Sequence, residues 1–400
     1  MRLFVHDFGG YPFPIELSRA LARRGHTVLH GYCASLQTTP TGPLAPRPDD
    51  APSLTIEPIR LARPLEKYRF VTRWRQENEY GRLLQRTVHR FQPEVVLSGN
   101  TPLDAQRALQ RACRATGSRV VYWVQDLLGV AADRILRRRL PGVGHLVGRY
   151  YLGLERRLLH QSDAAVLITE DFRPILHRYG VPDDRLHVVE NWAPLDDITP
   201  RPRRNAWAER HGLADRRCLL YAGTLALKHN PDLLLQLALH VRDQPDVRVV
   251  VVSQGPGADW LREQKTRHGL DNLLLLGFQP FEAMPDVFAS ADVLVALLEP
   301  DAGVFSVPSK VLAYLCAARP VLLAVPPENL AARIVRREAA GLTVPPTDAT
   351  AFIRAAETLL QDPDRRETMG RNARAYAEQA FDVEDITDTF ERVLRDCLQG

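Results

Sequence analysis

The stretch "RLFVHDFGG" (residues 2–10), followed by "PFPIELSRALARRGHTVLHGY" (12–32), decides how the rest of the chain is read. An apolar run ends at a glycine pair. A segment with apolar residues at helical spacing follows, and a second apolar run begins at Thr27. Strand, glycine loop, helix and strand in that order make a βαβ start. Gly9 and Gly10 stand at the carboxyl end of the first strand, where backbone without side chains lets a ligand approach closely. The run is not G-x-G-x-x-G, and no acidic residue closes a dinucleotide fingerprint about 20 residues on.

The alternation continues. "EVVLSG" (94–99), "RVVYWVQD" (119–126) and "AAVLIT" (164–169) each follow a helical pattern, and "RLHVVENW" (185–192) closes this half. "ITPRPRR" (198–204) reads as a linker. A second series then runs through "RCLLYAGT" (217–224), "VRVVVVSQG" (247–255), "NLLLLGF" (272–278), "DVLVALLE" (292–299), "PVLLAV" (320–325) and "GLTVPP" (341–346). Near-continuous apolar strands between helices indicate parallel sheets covered on both faces. The expected fold is α/β: two doubly wound, Rossmann-like domains facing each other across a cleft. They are expected over 1–197 and 198–383, with a closing helix over 384–400.

Composition narrows the function classes. With 45% hydrophobic and 25% charged residues the chain is ordinary for a globular protein, so disorder is not indicated. The five cysteines lie far apart with no CxxC pair, which suits a reducing compartment and argues against a zinc ribbon. No run approaches the ~18–20 apolar residues of a membrane span, and "MRLFVHDFGG" enters a strand pattern at once, so no signal peptide is expected. The expected location is cytoplasmic. The net charge of +4 is unevenly spread. "RLARPLEKYRFVTRWRQ" (60–76) and "RILRRRLPGVGHLVGRYYLGLERR" (134–157) mix arginines with aromatic and aliphatic residues. Such segments either lie on an anionic membrane surface or form solvated helix faces. No recognised motif supports nucleic-acid binding.

Open parallel sheets bind ligands beyond the carboxyl ends of their strands. Two such loops in the second half carry unusual chemistry. "AGTLALKHNPD" (222–232) contains Gly223, Thr224 and Lys228, and "EPDAGVFSVPSK" (299–310) contains Ser306, Ser309 and Lys310. Two lysines and several hydroxyls on neighbouring strand ends point to a diphosphate. A helix starting near Ser309 would add unpaired N–H groups and partial positive charge. Plainer readings stand beside this one: a capped core helix with a snorkelling Lys310, a helix-start Lys228, and a purely structural βα turn at Gly9-Gly10. Metal binding has little support. The D-x-D string in "QDPDRR" (361–366) reads as cap and turn, and the histidines include no HExxH. His6 reads as a core or rim residue, and no G-x-S-x-G elbow is present.

These residues, in this order, resemble the family-4 (group 1) retaining glycosyltransferases of the two-Rossmann-domain architecture called GT-B. "LLYAGTLALKHNPDLLL" looks like the family's strand–glycine–lysine turn. "LLLLGFQPFEAMPDVFASADVLVALL" looks like its Gly-Phe loop, and "SVPSKVLAYLCAARPVLLA" like its donor-phosphate helix. "VYWVQDLLGVAADRIL" (121–136) and "VVENWAPLDDITP" (188–200) are similar to the subgroup acting on colanic-acid and O-antigen lipid-linked intermediates.

The resemblance implies a nucleotide-sugar donor (UDP or GDP), transfer with retention, a lipid-linked or glycan acceptor, and no metal or other cofactor. It implies that Lys228 and Lys310 stabilise the departing diphosphate. Donor contacts would come from Gly223, Thr224, Ser306, Val307, Ser309 and Val311. Phe278 and Gln279 would hold the base, or form a surface loop. Asp126, beside Gln125, would lie near the sugar, or cap a helix. Gly9 and Gly10 would face the diphosphate or acceptor. The family commonly carries two glutamates eight positions apart; here those positions are Phe305 and Ala313, with Glu299 on the same loop. A nucleotide-sugar 2-epimerase and a non-catalytic sugar-nucleotide-binding protein are the alternative readings.

Overall fold

The computed structural model describes residues 1–36, 42–66, 69–139, 142–300, 303 and 307–399. Seven strands form the first sheet: β1 (Arg2–Asp7), β2 (Thr27–Cys33), β3 (Leu54–Ile59), β4 (Val95–Gly99), β5 (Arg119–Val124), β6 (Ala164–Leu167) and β7 (Leu186–Val188). Six form the second: β8 (Arg217–Ala222), β9 (Val247–Val252), β10 (Leu273–Leu276), β11 (Val293–Leu297), β12 (Val321–Ala324) and β13 (Gly341–Val344). The spatial orders are β3-β2-β1-β4-β5-β6-β7 and β10-β9-β8-β11-β12-β13. Every pairing between these strands is parallel. This is the doubly wound α/β plan expected from the apolar runs, built twice.

The second sheet shows why its strands were legible. In β9 all four residues from Val249 to Val252 are buried, and β11 and β12 are buried throughout. Branched side chains suit a pleated surface covered on both faces. β3 was not legible, because it carries Glu57 and Pro58 and only Ile59 is buried. It pairs with β2 at the sheet edge, where a proline's missing N–H does least harm.

The chain divides into two compact units, Met1–Glu190 with Val383–Gly400, and Asn191–Asp382. The division falls ahead of the Pro/Arg-rich linker. The helix Val383–Gln399 belongs to the first unit, where Phe390 lies edge-on to Trp123 with ring centroids 4.8 Å apart. Arg24 binds Glu384, Asp388 and Glu391 of that helix, and His26 Nε2 meets Glu391 Oε1 at 2.9 Å.

Candidate functional site

In each sheet the strand order reverses once, between β1 and β4 and between β8 and β11. Open parallel sheets offer a ligand crevice outside the strand ends at such a reversal. The chemistry-bearing loops begin there.

At the end of β8, Gly223 has φ 120°, a conformation that side chains resist. A Cβ at this position would lie 3.2 Å from Cε and Nζ of Lys310. Lys310 is the second residue of the helix Ser309–Cys316. Its ammonium donates to Tyr221 Oη at 2.5 Å and lies 3.8 Å from the Tyr221 ring centroid. The Tyr221 phenol in turn donates to the Thr224 carbonyl at 2.8 Å. Lys310, Gly223 and Thr224 are thereby gathered into one cluster around a fully buried tyrosine. Tyr314 fastens the same helix to β8, donating to the Ala222 carbonyl (3.0 Å) and accepting from the Ala222 N–H (2.9 Å).

The electrostatics of this cluster favour an incoming anion. Among the described residues Lys310 makes no ion pair, and burial lowers its pKa to about 7. Burial holds the Tyr221 phenol well above its ordinary range, so it stays neutral. The helix has Pro308 at its N-cap and no side-chain cap. The capped-helix reading of this stretch therefore lacks its cap. Ser309 is exposed and Val307 partly buried at this helix start. Val311 is 1% exposed, and its N–H donates to the Pro308 carbonyl at 3.0 Å. Ser306 and Phe305 lie outside the described residues. Ala313, partly buried on the helix, brings no polar group.

Lys228 belongs to the one-turn helix Leu227–His229, and its side chain lies outside the described residues. Its neighbour His229 sets Nε2 3.6 Å from Glu299 Oε2, joining the loops after β8 and β11. The Ala226 N–H donates to His229 Nδ1 at 3.3 Å. That bond leaves Nδ1 unprotonated and turns Nε2–H of the neutral ring toward the carboxylate. Phe278 and Gln279 follow the edge strand β10, two strands from β8. Gln279 accepts from Trp207 Nε1 (3.1 Å) and donates to the Gly277 carbonyl (3.1 Å).

In the first sheet, Gly9 and Gly10 follow β1. A Cβ on Gly9 would meet the Tyr11 ring at 2.2 Å, and Gly10 has φ 66°. Asp126 is exposed two residues beyond β5. It stands near enough to Tyr11 that, after burial and Asp7, its charge adds to the upward push on that phenol. Gly9, Gly10 and Asp126 thus share one strand-end edge. His6 is a core residue, bonded to Thr101 Oγ1 (2.8 Å) and Tyr80 Oη (2.9 Å), and burial lowers its pKa to about 3. Among the described residues no cluster of three or more His, Cys, Asp or Glu side chains is placed to hold a metal ion. Asp362 of the D-x-D string accepts from the Arg365 N–H at the start of the helix Pro363–Ala380. No described helix is long and apolar enough to cross a membrane.

Sequence reading missed Tyr221, which carries Lys310, because a tyrosine inside an apolar run reads as core. It also passed over His229, whose only signal was its place beside Lys228.

Two family models match. Residues 14–197 fit Glycosyltransferase Family 4, and residues 203–376 fit Glycosyl transferases group 1. The chain is 25% identical over 254 residues to an alpha-D-kanosaminyltransferase of Streptomyces kanamyceticus, covering 60% of this chain and 62% of that one. It is 22% identical over 312 residues to the putative colanic acid biosynthesis glycosyl transferase WcaI of Escherichia coli, covering 76% and 75%. Among solved structures, HepE of Anabaena in complex with UDP and glucose superposes with a TM-score of 0.73 at 16% identity, covering 99% of both chains. WaaG, a glycosyltransferase involved in lipopolysaccharide biosynthesis, gives 0.69 at 16%, covering 98% and 99%.

Proposed function

The chain belongs to the group 1 (family 4) glycosyltransferases of GT-B architecture, and from that premise we propose that it moves a sugar from a nucleoside diphosphate to an acceptor hydroxyl with retention. The Lys310–Tyr221–Gly223 cluster carries this reading. A cation held against a neutral phenol, beside an uncapped helix start at a strand-order reversal, suits a departing diphosphate.

In the proposed step, the bond between sugar C1 and the diphosphate oxygen breaks as the acceptor oxygen bonds C1 from the same face. The acceptor proton leaves with the diphosphate. No protein nucleophile is required; the chain's contribution is to hold the diphosphate, stabilise its charge and position the acceptor. Lys228 shares the diphosphate with Lys310, while Gly9, Gly10 and Asp126 line the acceptor side. No metal takes part.

The relatives named for colanic acid and lipopolysaccharide biosynthesis support a lipid-linked glycan acceptor in surface polysaccharide assembly, at the cytoplasmic side of a membrane. Structural neighbours with UDP in their complexes support a UDP-sugar donor. The first unit exposes Phe70, Val71 and Trp74 on the helix Phe70–Phe91, Ile135 on Leu128–Arg139, and Val143, Leu146 and Tyr150 on Val143–His160. Exposed arginines 73, 75, 134, 137 and 149 lie among them. That mixture suits contact with anionic lipid.

Thermal shift against UDP-, GDP- and dTDP-sugars, then NMR of the product anomer with the stabilising donor, tests the proposal. A retained anomeric configuration supports it, and an inverted one refutes retention. An epimerised nucleotide sugar would identify the other enzyme class. Binding without turnover would mark a sugar-nucleotide-binding protein, the reading that Ala313 favours.

A further inference from the structure

Asp7 ends β1 at the reversal point of the first sheet, and its side chain is 1% exposed. Oδ1 accepts from the Gly9 N–H at 3.3 Å and from Asn100 Nδ2 at 2.9 Å. Oδ2 accepts from the Tyr11 N–H at 2.5 Å, and the Asp7 carbonyl accepts from the Gly10 N–H at 3.3 Å. Asn100, just past β4, has φ 56°. One carboxylate thus ties the loop after β1 to the turn after β4, across the crevice position of the sheet.

The loop it holds is a backbone surface. Gly9 has no room for a side chain against Tyr11, and the Gly10 carbonyl is spanned by the Gly42 N–H at 2.7 Å. Among the described residues no lysine or arginine pairs with Asp7, so N–H dipoles alone offset its charge. We propose that Asp7 is a positioning residue of the transfer reaction: its carboxylate fixes the Gly9–Tyr11 backbone and the Asn100 turn in the arrangement that receives the acceptor. This rests on the reading of the glycine loop as substrate-facing.

Two physical points separate this role from simple fold maintenance. A carboxylate only accepts, and here it meets donors on both oxygens. Asparagine has nearly the same shape but must aim its NH2 group at either the Gly9 N–H or the Tyr11 N–H, so it cannot hold both backbone donors of the glycine loop. Burial also pushes the Asp7 carboxyl up to about 6, so the ionised group opposes folding at neutral pH. Aspartate at this position is therefore costly to the fold, a pattern found where a charge serves function.

The test is Asp7→Asn, with Asn100→Ala as a second variant, in the full chain. Hydrogen exchange of the segment 8–12 should rise at least about tenfold in Asp7→Asn, while the melting temperature holds or rises. With the donor and acceptor established for the wild type, kcat/KM for the acceptor should fall at least about tenfold, about 1.4 kcal/mol. The dissociation constant for UDP should stay within about twofold, and Asn100→Ala should show a smaller loss of the same kind. Unchanged transfer by a loosened Asp7→Asn loop overturns the proposal. If Asp7→Asn does not fold, Asn100→Ala decides: a folded variant with wild-type transfer overturns it, and one with selectively lost transfer upholds it. Failure of the wild type to transfer any sugar would instead defeat the functional reading on which it rests.

Discussion

The proposed placement of Lys310 against the diphosphate predicts that nucleotide binding is a proton-coupled event. With its pKa lowered to about 7 by burial, the free protein at neutral pH carries roughly half a charge at this position. A diphosphate beside the ammonium favours the charged form and restores the ordinary value near 10.4. Binding at pH 7 should then take up about half a proton, and at pH 8 about 0.9. The fraction of free protein already protonated falls about 5-fold from pH 7 to 8 and about 50-fold to pH 9, so UDP affinity should fall by the same factors. The latter corresponds to about 2.3 kcal/mol.

Isothermal titration calorimetry in buffers of different ionisation enthalpy measures the proton count directly. Lys310→Met keeps much of the side-chain volume and removes the titrating group. It should bind UDP more weakly at pH 7, with a flat profile from pH 7 to 9 and no linked proton. The sign for stability is opposite. A lysine whose folded pKa is lowered opposes folding most fully below pH 7, and that cost is relieved progressively as pH rises from 7 toward the unfolded value near 10.4. Lys310→Met should accordingly raise the melting temperature at pH 8. Turnover should fall by roughly 10²–10³, the scale for losing one preorganised stabiliser of a leaving anion. Wild-type binding that neither takes up protons nor weakens above pH 7 would refute the placement of Lys310 against the diphosphate.

Gly223→Ala would force a side chain into φ 120° and set its Cβ 3.2 Å from the lysine ammonium. A destabilisation of roughly 1–3 kcal/mol is expected, read from urea unfolding, with weaker UDP binding by titration. Chelation with EDTA should change the dissociation constant for UDP by less than about tenfold, or 1.4 kcal/mol; a larger loss would overturn metal-independent binding. The protein should co-sediment with phosphatidylglycerol vesicles at low salt and release at high salt, and equal binding to neutral vesicles would remove the electrostatic part of the membrane proposal. Replacing Trp74 and Leu146 by serine should weaken that co-sedimentation without altering UDP affinity, since both side chains are exposed on the first unit.

The parts of this fold that sequence reveals are those in which one kind of burial governs a whole run. β8, β9, β11 and β12 are buried along nearly their whole length, and apolar residues dominate them. β3 obeys a different constraint, because an edge strand is half wet and tolerates Glu57 and Pro58. Among site residues, Lys310 and Gly223 announce themselves as polar or conformationally permissive residues next to strand ends. Tyr221 and Asp7 do not, since their roles depend on partners 89 and 93 positions away in the chain, Lys310 and Asn100. Periodicity records which face of an element is buried, but not which distant atom lies against it. The return of Val383–Gln399 to the first unit was hidden for the same reason.

That return has a consequence for how the molecule is made. On the ribosome the first unit emerges with Trp123 awaiting Phe390 and Arg24 awaiting its three carboxylates, and residues 191–382 must be synthesised before these arrive. At elongation speeds of about 5–20 residues per second the delay is roughly 10–40 s, long beside the folding time of a small domain. The second unit, contiguous in the chain, can complete itself first. Nascent first units are therefore a natural client for chaperones that shield apolar surface, and a stop codon before residue 383 should leave a soluble second unit joined to an aggregation-prone first one.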